Sequence, residues 1–445
     1  MERTNHPGRR HRRTTPWPEA VDPPAWKGLF VGIDISQAHV DAAVVDHHGN
    51  LIQAACRFEN TGPGIEELWR TTRGLGEKMS LPVAYAMEAS GIYHLGLLSF
   101  LLEQKAKVWS FNPLLLQGER QSQIRKTKTD ALDAELIAHF ARKEGVRHPT
   151  AHWDADQMRL REHGRVRFRL VHKACDARRQ LRRDLDTLCP GLGAEMDDVA
   201  TPAHLALLKE FCQIGRLFEA PVEEIEALLR PFYKNRPALH GKAMAFHRRF
   251  AERRTPSALT EPLVWEVKFL VHELELLEEQ LRQVETRIER EMERRQSVVM
   301  TVPGVGFITA AVIEGELGDA RRFSNEGAVV AFAGLDPTVH QSGKFQGTQA
   351  HISKRGSPRL REALYKAALS ASRCNPACRD LYERLLAKGK PTRVALIGVA
   401  RKLLVQCWAV MREGRGFQLP ERYRSPVGPC TAAPRQETGE NPAAG

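Results

Sequence analysis

The sequence predicts an α/β domain first, then a helical and coiled-coil middle, then a mostly α-helical carboxy-terminal domain. Three observations carry this. Between residues 28 and 111, short apolar runs of strand length alternate with turn residues and two helical stretches. Glu261–Glu293 then places Leu263, Val267, Leu270, Leu274, Leu277, Leu281, Val284 and Ile288 at alternating spacings of four and three, an a/d seam. Past Val298, helical stretches flank glycine-rich turns. With 445 residues the chain is too long for one ordinary core. The expected divisions are 28–150, 151–297 and 298–425, with a disordered basic arm at 1–27 and a disordered Pro/Gly-rich tail at 426–445.

In the first domain, Gly28–Ser36 (GLFVGIDIS) reads as a strand with Asp34 near its end. Val40–Val45 is a second strand, and HHGN at His47–Asn50 turns the chain into a third, Leu51–Phe58. Thr61 can cap a helix beginning near Gly64, with Glu66 and Glu67 in its first turn. Pro82–Glu88 is a fourth strand ending in Glu88, and a leucine-rich helix and a fifth strand, Lys107–Phe111, follow. The order predicts a mixed sheet with helices on its faces, whose sites lie at the carboxyl ends of strands.

Lys126–Ala138 (KTKTDALDAELIA) is the stretch the domain is organised around. Its residues favour helix, and Asp130 and Asp133 fall on one face, about 5–6 Å apart at Cβ. Leu132, Leu136, Ile137 and Phe140 form an apolar stripe expected to pack inward. Asp34, Glu88, Asp130 and Asp133 converging at one sheet end cannot all stay ionised without cations. A divalent-metal site, Mg2+ by the oxygen donors, is the natural account.

This arrangement resembles the ribonuclease H fold, in the RuvC-like branch shared with Holliday-junction resolvases. The resemblance implies two-metal phosphodiester chemistry. Actin-like ATPases and sugar kinases start with a similar strand, but Ile35-Ser36 follows Asp34 without the glycine that lets backbone approach a phosphate.

Net charge supports a nucleic-acid partner: +12, with a pI near 9.4. No apolar run of about 18 residues stands out in the sequence, so no membrane span is expected. The arginines near the start precede no apolar segment of a secretory signal. Eight scattered cysteines give neither a disulfide framework nor a zinc site, which fits a reducing cytoplasm.

Asp154–Leu188 predicts a long helix with an apolar line at Leu170, Ala174, Ala177, Leu181, Leu185 and Leu188. Its other faces are basic, and Arg178, Arg179, Arg182 and Arg183 are candidate phosphate contacts. The seam of Glu261–Glu293 can pair with this helix or with a second chain. Val302–Gly306 (VPGVG) looks like the hairpin of a helix-hairpin-helix unit, in which Gly304 and Gly306 let backbone N–H groups meet a phosphate. His340–Gly347 (HQSGKFQG) is a glycine-rich loop holding Ser342. Lys344, Lys354 and Arg355 nearby in sequence suit a phosphate and could ease ionisation of the serine.

The ordered set GIDIS, EASGIYH, KTDALDAELIA, VPGVGFITA, RRFSN, AGLDP, QSGK and ISKRGSPRLREALYKAA spans about residues 28–370. It resembles the DEDD transposases of bacterial insertion sequences, the serine-recombinase group whose members are guided by a bridge RNA. The resemblance implies that Asp34, Glu88, Asp130 and Asp133 are metal-binding catalytic acids and that Ser342 is a nucleophile forming a phosphoserine link to DNA. It also implies donor and target duplex DNA and a guide RNA as partners. A dimer or tetramer is implied too, in which the acids of one subunit complete the serine site of another. Two other classes fit the residues less fully. One is a structure-selective endonuclease that leaves the SGK loop idle, and the other is a nucleic-acid-binding protein without activity.

Overall fold

The computed structural model describes residues 26–88, 92–111, 113, 116, 117, 119, 130–145, 155–211, 219–252, 257–337, 341, 342, 345, 346 and 351–423. The chain divides into two compact units, Met1–Asp154 and Ala155–Gly445. The expected basic arm before Trp26 and the tail from residue 426 lie outside the described residues. Trp26 itself packs edge-on to Phe30 and Trp109, with ring centroids 5.0 and 6.2 Å away, so it belongs to the first unit's core rather than to an arm.

Strands β1 (Leu29–Ile35), β2 (His39–Val45) and β3 (Leu51–Glu59) come first, then α1 (Gly62–Met79), β4 (Val83–Glu88), α2 (Leu95–Glu103), β5 (Lys107–Phe111) and α3 (Asp130–Glu144). They build one five-stranded sheet in the order β3-β2-β1-β4-β5. β1, β2 and β3 run antiparallel, whereas β4 and β5 extend the sheet parallel to β1. The β2–β3 turn is fixed by buried Asp46. Its carboxylate accepts from the backbone N–H of His48, Gly49 and Asn50, so these four residues form an Asx-type turn. Thr61 caps α1 as expected, accepting from Gly64 N–H, but the helix starts at Gly62, which leaves Glu66 and Glu67 beyond its first turn.

Strand alternation sends side chains to two cores. Val31, Ile33, Val40, Val44, Tyr85 and Met87 meet α1 and α2. Phe30, Val45, Ala84, Ala86, Trp109 and Phe111 face α3 through Leu136, Ile137, Ala138, Phe140 and Ala141. One expectation for α3 is corrected: Leu132 is 46% exposed. The helix meets the sheet through small residues instead, because a Cβ on Gly32 would lie 2.2 Å from the Ala134 carbonyl oxygen and the Ala138 nitrogen. That backbone-to-strand approach turns Ala134 and Ala138 inward and rolls Leu132 outward.

The second unit is almost wholly helical: α4 (Ala155–Leu188), α5 (Leu192–Glu195), α6 (Pro202–Phe211), α7 (Val222–Leu229), α8 (Arg236–Ala251), α9 (Ser257–Arg295), α10 (Phe307–Leu317), α11 (Glu326–Phe332), α12 (Pro358–Cys374), α13 (Pro376–Ala387) and α14 (Thr392–Glu413). The a/d seam of α9 closes within the chain. α4 lies antiparallel to it, with Arg159 bound to Glu291, Arg167 to Glu285 and Gln180 to Glu266 at 3.1, 2.7 and 2.7 Å. Val267, Leu274 and Leu277 of α9 share a core with Leu181, Leu185 and Leu188 of α4 and with Phe246 and Phe250 of α8. A second core gathers Ile288, Ile313, Leu364, Val399 and Leu403. α14 is long and apolar enough to cross a membrane, against the expectation from the sequence, but Leu396, Val399, Leu403, Leu404 and Trp408 are buried in this second core.

Candidate active site

Strand register places the acids. Ile33 pairs with Met87 on the neighbouring parallel strand, so the next residues, Asp34 and Glu88, leave β1 and β4 side by side at their carboxyl ends. They continue the face of Gly32, Ala84 and Ala86, which α3 covers. On the other side, Asp34 lies directly opposite Asp41 of β2, and Asp41 lies opposite Arg57 of β3. Like charges so placed destabilise a sheet unless a cation intervenes. Arg57 is that cation. Its Nε and Nη2 both reach the Asp41 carboxylate at 3.1 Å, a bidentate fork.

The same guanidinium draws in α3. Arg57 Nη2 also donates to Asp130 at 3.2 Å, which brings the first turn of α3 to the end of the sheet where Asp34 and Glu88 emerge. Asp133, one turn along, is buried, whereas the Asp130 side chain is 56% exposed. A helix start suits both aspartates, since unpaired N–H groups there favour negative charge. The donors are all carboxylate oxygens, the set that suits Mg2+ or another hard cation. Among the described residues, however, no three metal-ligating side chains stand close enough to hold one ion. The donor chemistry fits a metal, and Asp130 is held by Arg57.

Asp41 and Arg57 were not singled out in the sequence. The signal was present. An aspartate interrupts the apolar run HVDAAVV, and the short turns between the three strands fix which residues stand opposite it.

In the second unit, two interlocked turns frame the serine loop. Asp336 takes hydrogen bonds from Ser353 through its backbone carbonyl (2.8 Å) and its side chain, and Lys354 N–H donates to the Gly334 carbonyl at 3.1 Å. Arg361 Nη1 donates to the carbonyls of Ala333 and Gly356 at 3.1 and 2.7 Å. A Cβ on Gly356 would fall 1.7 Å from the Phe332 carbonyl oxygen, so only glycine allows this contact. Pro337 and Ile352 pair as an antiparallel bridge at the base of the loop. Above it, β6 (Gln341–Ser342) pairs with β7 (Phe345–Gln346), and Ser342 stands opposite Phe345. The expected position of Lys344 lies outside the described residues. Lys354 and Arg355 are exposed, and Lys354 adopts a left-handed backbone at φ 55°.

Comparison with known proteins decides the family. A DEDD-type transposase model, IS110, matches residues 31–190, and a model described as the transposase IS116/IS110/IS902 family matches residues 296–383. The chain belongs to this transposase family. It is 26% identical over 403 residues to the insertion element IS116 uncharacterized 44.8 kDa protein of Streptomyces clavuligerus, covering 87% of this chain and 96% of that protein. The pilin gene-inverting protein of Moraxella bovis is 25% identical over 389 residues, covering 87% and 97%. A probable family 20 transposase of Pseudomonas aeruginosa is 24% identical over 386 residues, covering 86% and 96%. The protein is therefore an enzyme that cuts and rejoins DNA, and a binding protein without activity is set aside.

The transposase's basic helix is less free than its composition suggests. Arg178 of α4 binds Glu278 at 3.5 Å, Arg182 reaches the Asp197 carbonyl, and Arg183 binds the buried Asp184 at 3.0 Å. Arg179 pairs with Asp176, one turn away on its own helix. The side chains of Arg179 and Arg183 remain 77% and 64% exposed, and the Arg179–Asp176 pair, exposed on both sides, is worth little. In the VPGVG turn, Gly304 has φ 93°, and a Cβ there would lie 2.5 Å from Ala371 Cα. Packing against α12 therefore accounts for this glycine. Gly306, at the start of α10, faces open space.

Proposed function

We propose that this transposase cuts and rejoins DNA strands with two sets of groups, the carboxylates at the sheet end and the Ser342 hydroxyl, and that an RNA guides it. What supports the reading is that Asp34 and Glu88 leave neighbouring parallel strands at one sheet end, and that Arg57 ties Asp130 of α3 to Asp41, which lies opposite Asp34. The first unit is read as RNase H-like on its strand order, and the VPGVG turn as the hairpin of a helix-hairpin-helix-like element. Asp34, Glu88, Asp130 and Asp133 would hold divalent metal, preferably Mg2+. When bound, the metal would stabilise negative charge developing on the phosphate.

The remaining steps belong to the chain. Arg57 holds Asp130 against the sheet until a cation competes for the carboxylate. The Ser342 hydroxyl attacks a DNA phosphorus. An Oγ–P bond forms, the bond to the departing strand oxygen breaks, and the serine proton passes to that oxygen. A hydroxyl of the incoming strand then attacks the same phosphorus, Oγ leaves and regains a proton, and the number of phosphodiester bonds is conserved. Lys344, Lys354 and Arg355 supply countercharge around the loop. Arg178, Arg179, Arg182, Arg183 and Gly306 are the proposed backbone contacts to DNA or guide RNA, and the working form is a homo-oligomer.

The deciding experiment is a denaturing gel of wild type and Ser342→Ala with labelled donor and target DNA. The variant should bind DNA and divalent metal but give neither a covalent protein–DNA adduct nor recombinant product. Recombination at the wild-type rate in Ser342→Ala removes the serine from the mechanism and leaves a metal-dependent nuclease. For the guide, RNA copurifying with the protein should map beside the reading frame.

A further inference from the structure

Within the second unit, α4, α10 and α12 enclose a half-open cavity of about 50 Å³. Its walls are apolar, with Phe168 and Val312 among them, and its charged residues are Arg161, Glu316, Arg359, Glu362 and Lys366. The acids already have partners. Glu316 accepts from Arg165 at 3.1 Å, and Glu362 accepts from Lys366 at 2.6 Å and pairs with His172 at 3.0 Å.

Two guanidiniums are left over. The Nε atoms of Arg161 and Arg359 are both shielded from solvent and have no hydrogen-bond acceptor among the described residues. The carboxylate nearest Arg161 is Glu162, at 3.8 Å, and Glu162 itself accepts from Arg165. Arg359 lies over the Phe168 ring, 5.4 Å from its centroid, which fixes the plane of the fork. Burial holds the Arg161 guanidinium below its usual range, and the neighbouring Arg165 and Arg359 add to this, with Glu316 and Glu162 opposing. A desolvated donor without an acceptor is costly, and two converging on one cavity mean that the acceptor comes from outside.

The geometry points to a phosphate site: Arg161 and Arg359 together bind a phosphodiester of the DNA substrate, seated in the cavity between α4, α10 and α12. Guanidinium forks match tetrahedral oxyanions, and the low-dielectric walls strengthen the pairing. A free inorganic anion presents the same chemistry, and DNA is favoured because the family acts on it. This site is independent of the acid and serine chemistry, and its test reads binding without cleavage.

The test uses full-length protein, the variants Arg161→Met and Arg359→Met, and labelled duplex DNA across a salt series. Each variant should weaken binding several-fold at low salt, and the double variant should reduce the log–log salt slope by about 0.9, the value of one lost phosphate contact. Without DNA, the thermal midpoint of each should stay level or rise, because a desolvated charge has been removed. Sulfate should raise the midpoint of the wild type more than that of the double variant. Unchanged salt slopes, equal sulfate shifts, or an effect on RNA binding alone would each overturn the assignment. If the variants fold poorly, wild-type protein can be treated with an arginine-specific dicarbonyl. DNA should then protect Arg161 and Arg359, and modification at the same rate with and without DNA counts against the site.

Discussion

Arg57 shows how one residue can join the elements of the proposed acid site. It is the only cation among the described residues paired with both the sheet, through Asp41, and the first turn of α3, through Asp130. A divalent ion recruiting Asp130 must compete with it. Arg57→Met should therefore tighten divalent-cation binding only modestly, because the Arg57–Asp130 pair is exposed on both sides. Calorimetric titration with Mn2+ measures this. Weaker binding in the variant would mean that the guanidinium assembles the carboxylates rather than masking them. The sequence made Asp34, Glu88, Asp130 and Asp133 visible because acids at strand ends and helix starts break an apolar pattern. Arg57 was hidden for the opposite reason. An arginine on an exposed edge strand looks ordinary until the register of three strands puts it beside Asp41.

Among the elements, β4 is tied to α1 by one buried polar contact. Tyr85 is fully buried, and its hydroxyl lies 2.8 Å from that of Thr72, which also donates to the Leu68 carbonyl. Burial pushes the Tyr85 phenol up to about 12, although Thr72 and Arg73 oppose the shift. A folded-state value above the unfolded one means stability that is complete below the unfolded value, near pH 10. It is lost as pH rises toward the folded value. Tyr85→Phe should cost about 1 kcal/mol at neutral pH and flatten this alkaline decline. Urea unfolding across the pH range tests both, and an equally steep decline in the variant would assign it to other groups. The elements themselves were largely legible: the succession of strands and helices along the chain, the turn at His47–Asn50 before β3 and the α9 seam follow from periodicity and turn chemistry. The partner of the seam was not, since a heptad pattern says what is buried and not by whom. Nor was the roll of α3, which depends on how closely Gly32 lets two backbones approach.

At the scale of the whole molecule, the second unit holds its cores without help from the first. Both of its apolar clusters are drawn from residues after Ala155, and buried Glu314 of α10 ties in the end of α9 by accepting from Arg295 at 3.2 Å and from Ser297. The fragment 155–445 should therefore fold alone, with a helical circular-dichroism spectrum and a cooperative thermal transition. A broad, non-cooperative melt would show that the first unit is needed to complete it. The overall charge of +12 shows how little a chain-wide total says about any one surface. Much of the basic face of α4 is answered by carboxylates of α9 and α10, and the unanswered guanidiniums lie where no count of arginines would have pointed.

The interlocked turns at Ala333–Pro337 and Ile352–Ser357 also bear on how this enzyme can change over generations. They fasten both ends of the segment 338–351 independently of what that segment contains. Closing a loop on a fixed base is insensitive to its length, and a doubling costs only about 0.6 kcal/mol. A lineage can therefore lengthen, shorten or rewrite the stretch around Ser342 in small inherited steps while the framework goes on folding. Gly334 and Gly356 have no such latitude, because backbone atoms already occupy the space a methyl group would need. Latitude in the loop and constraint in its base follow from one piece of architecture, and the architecture allows new specificities to be tried without first losing the protein.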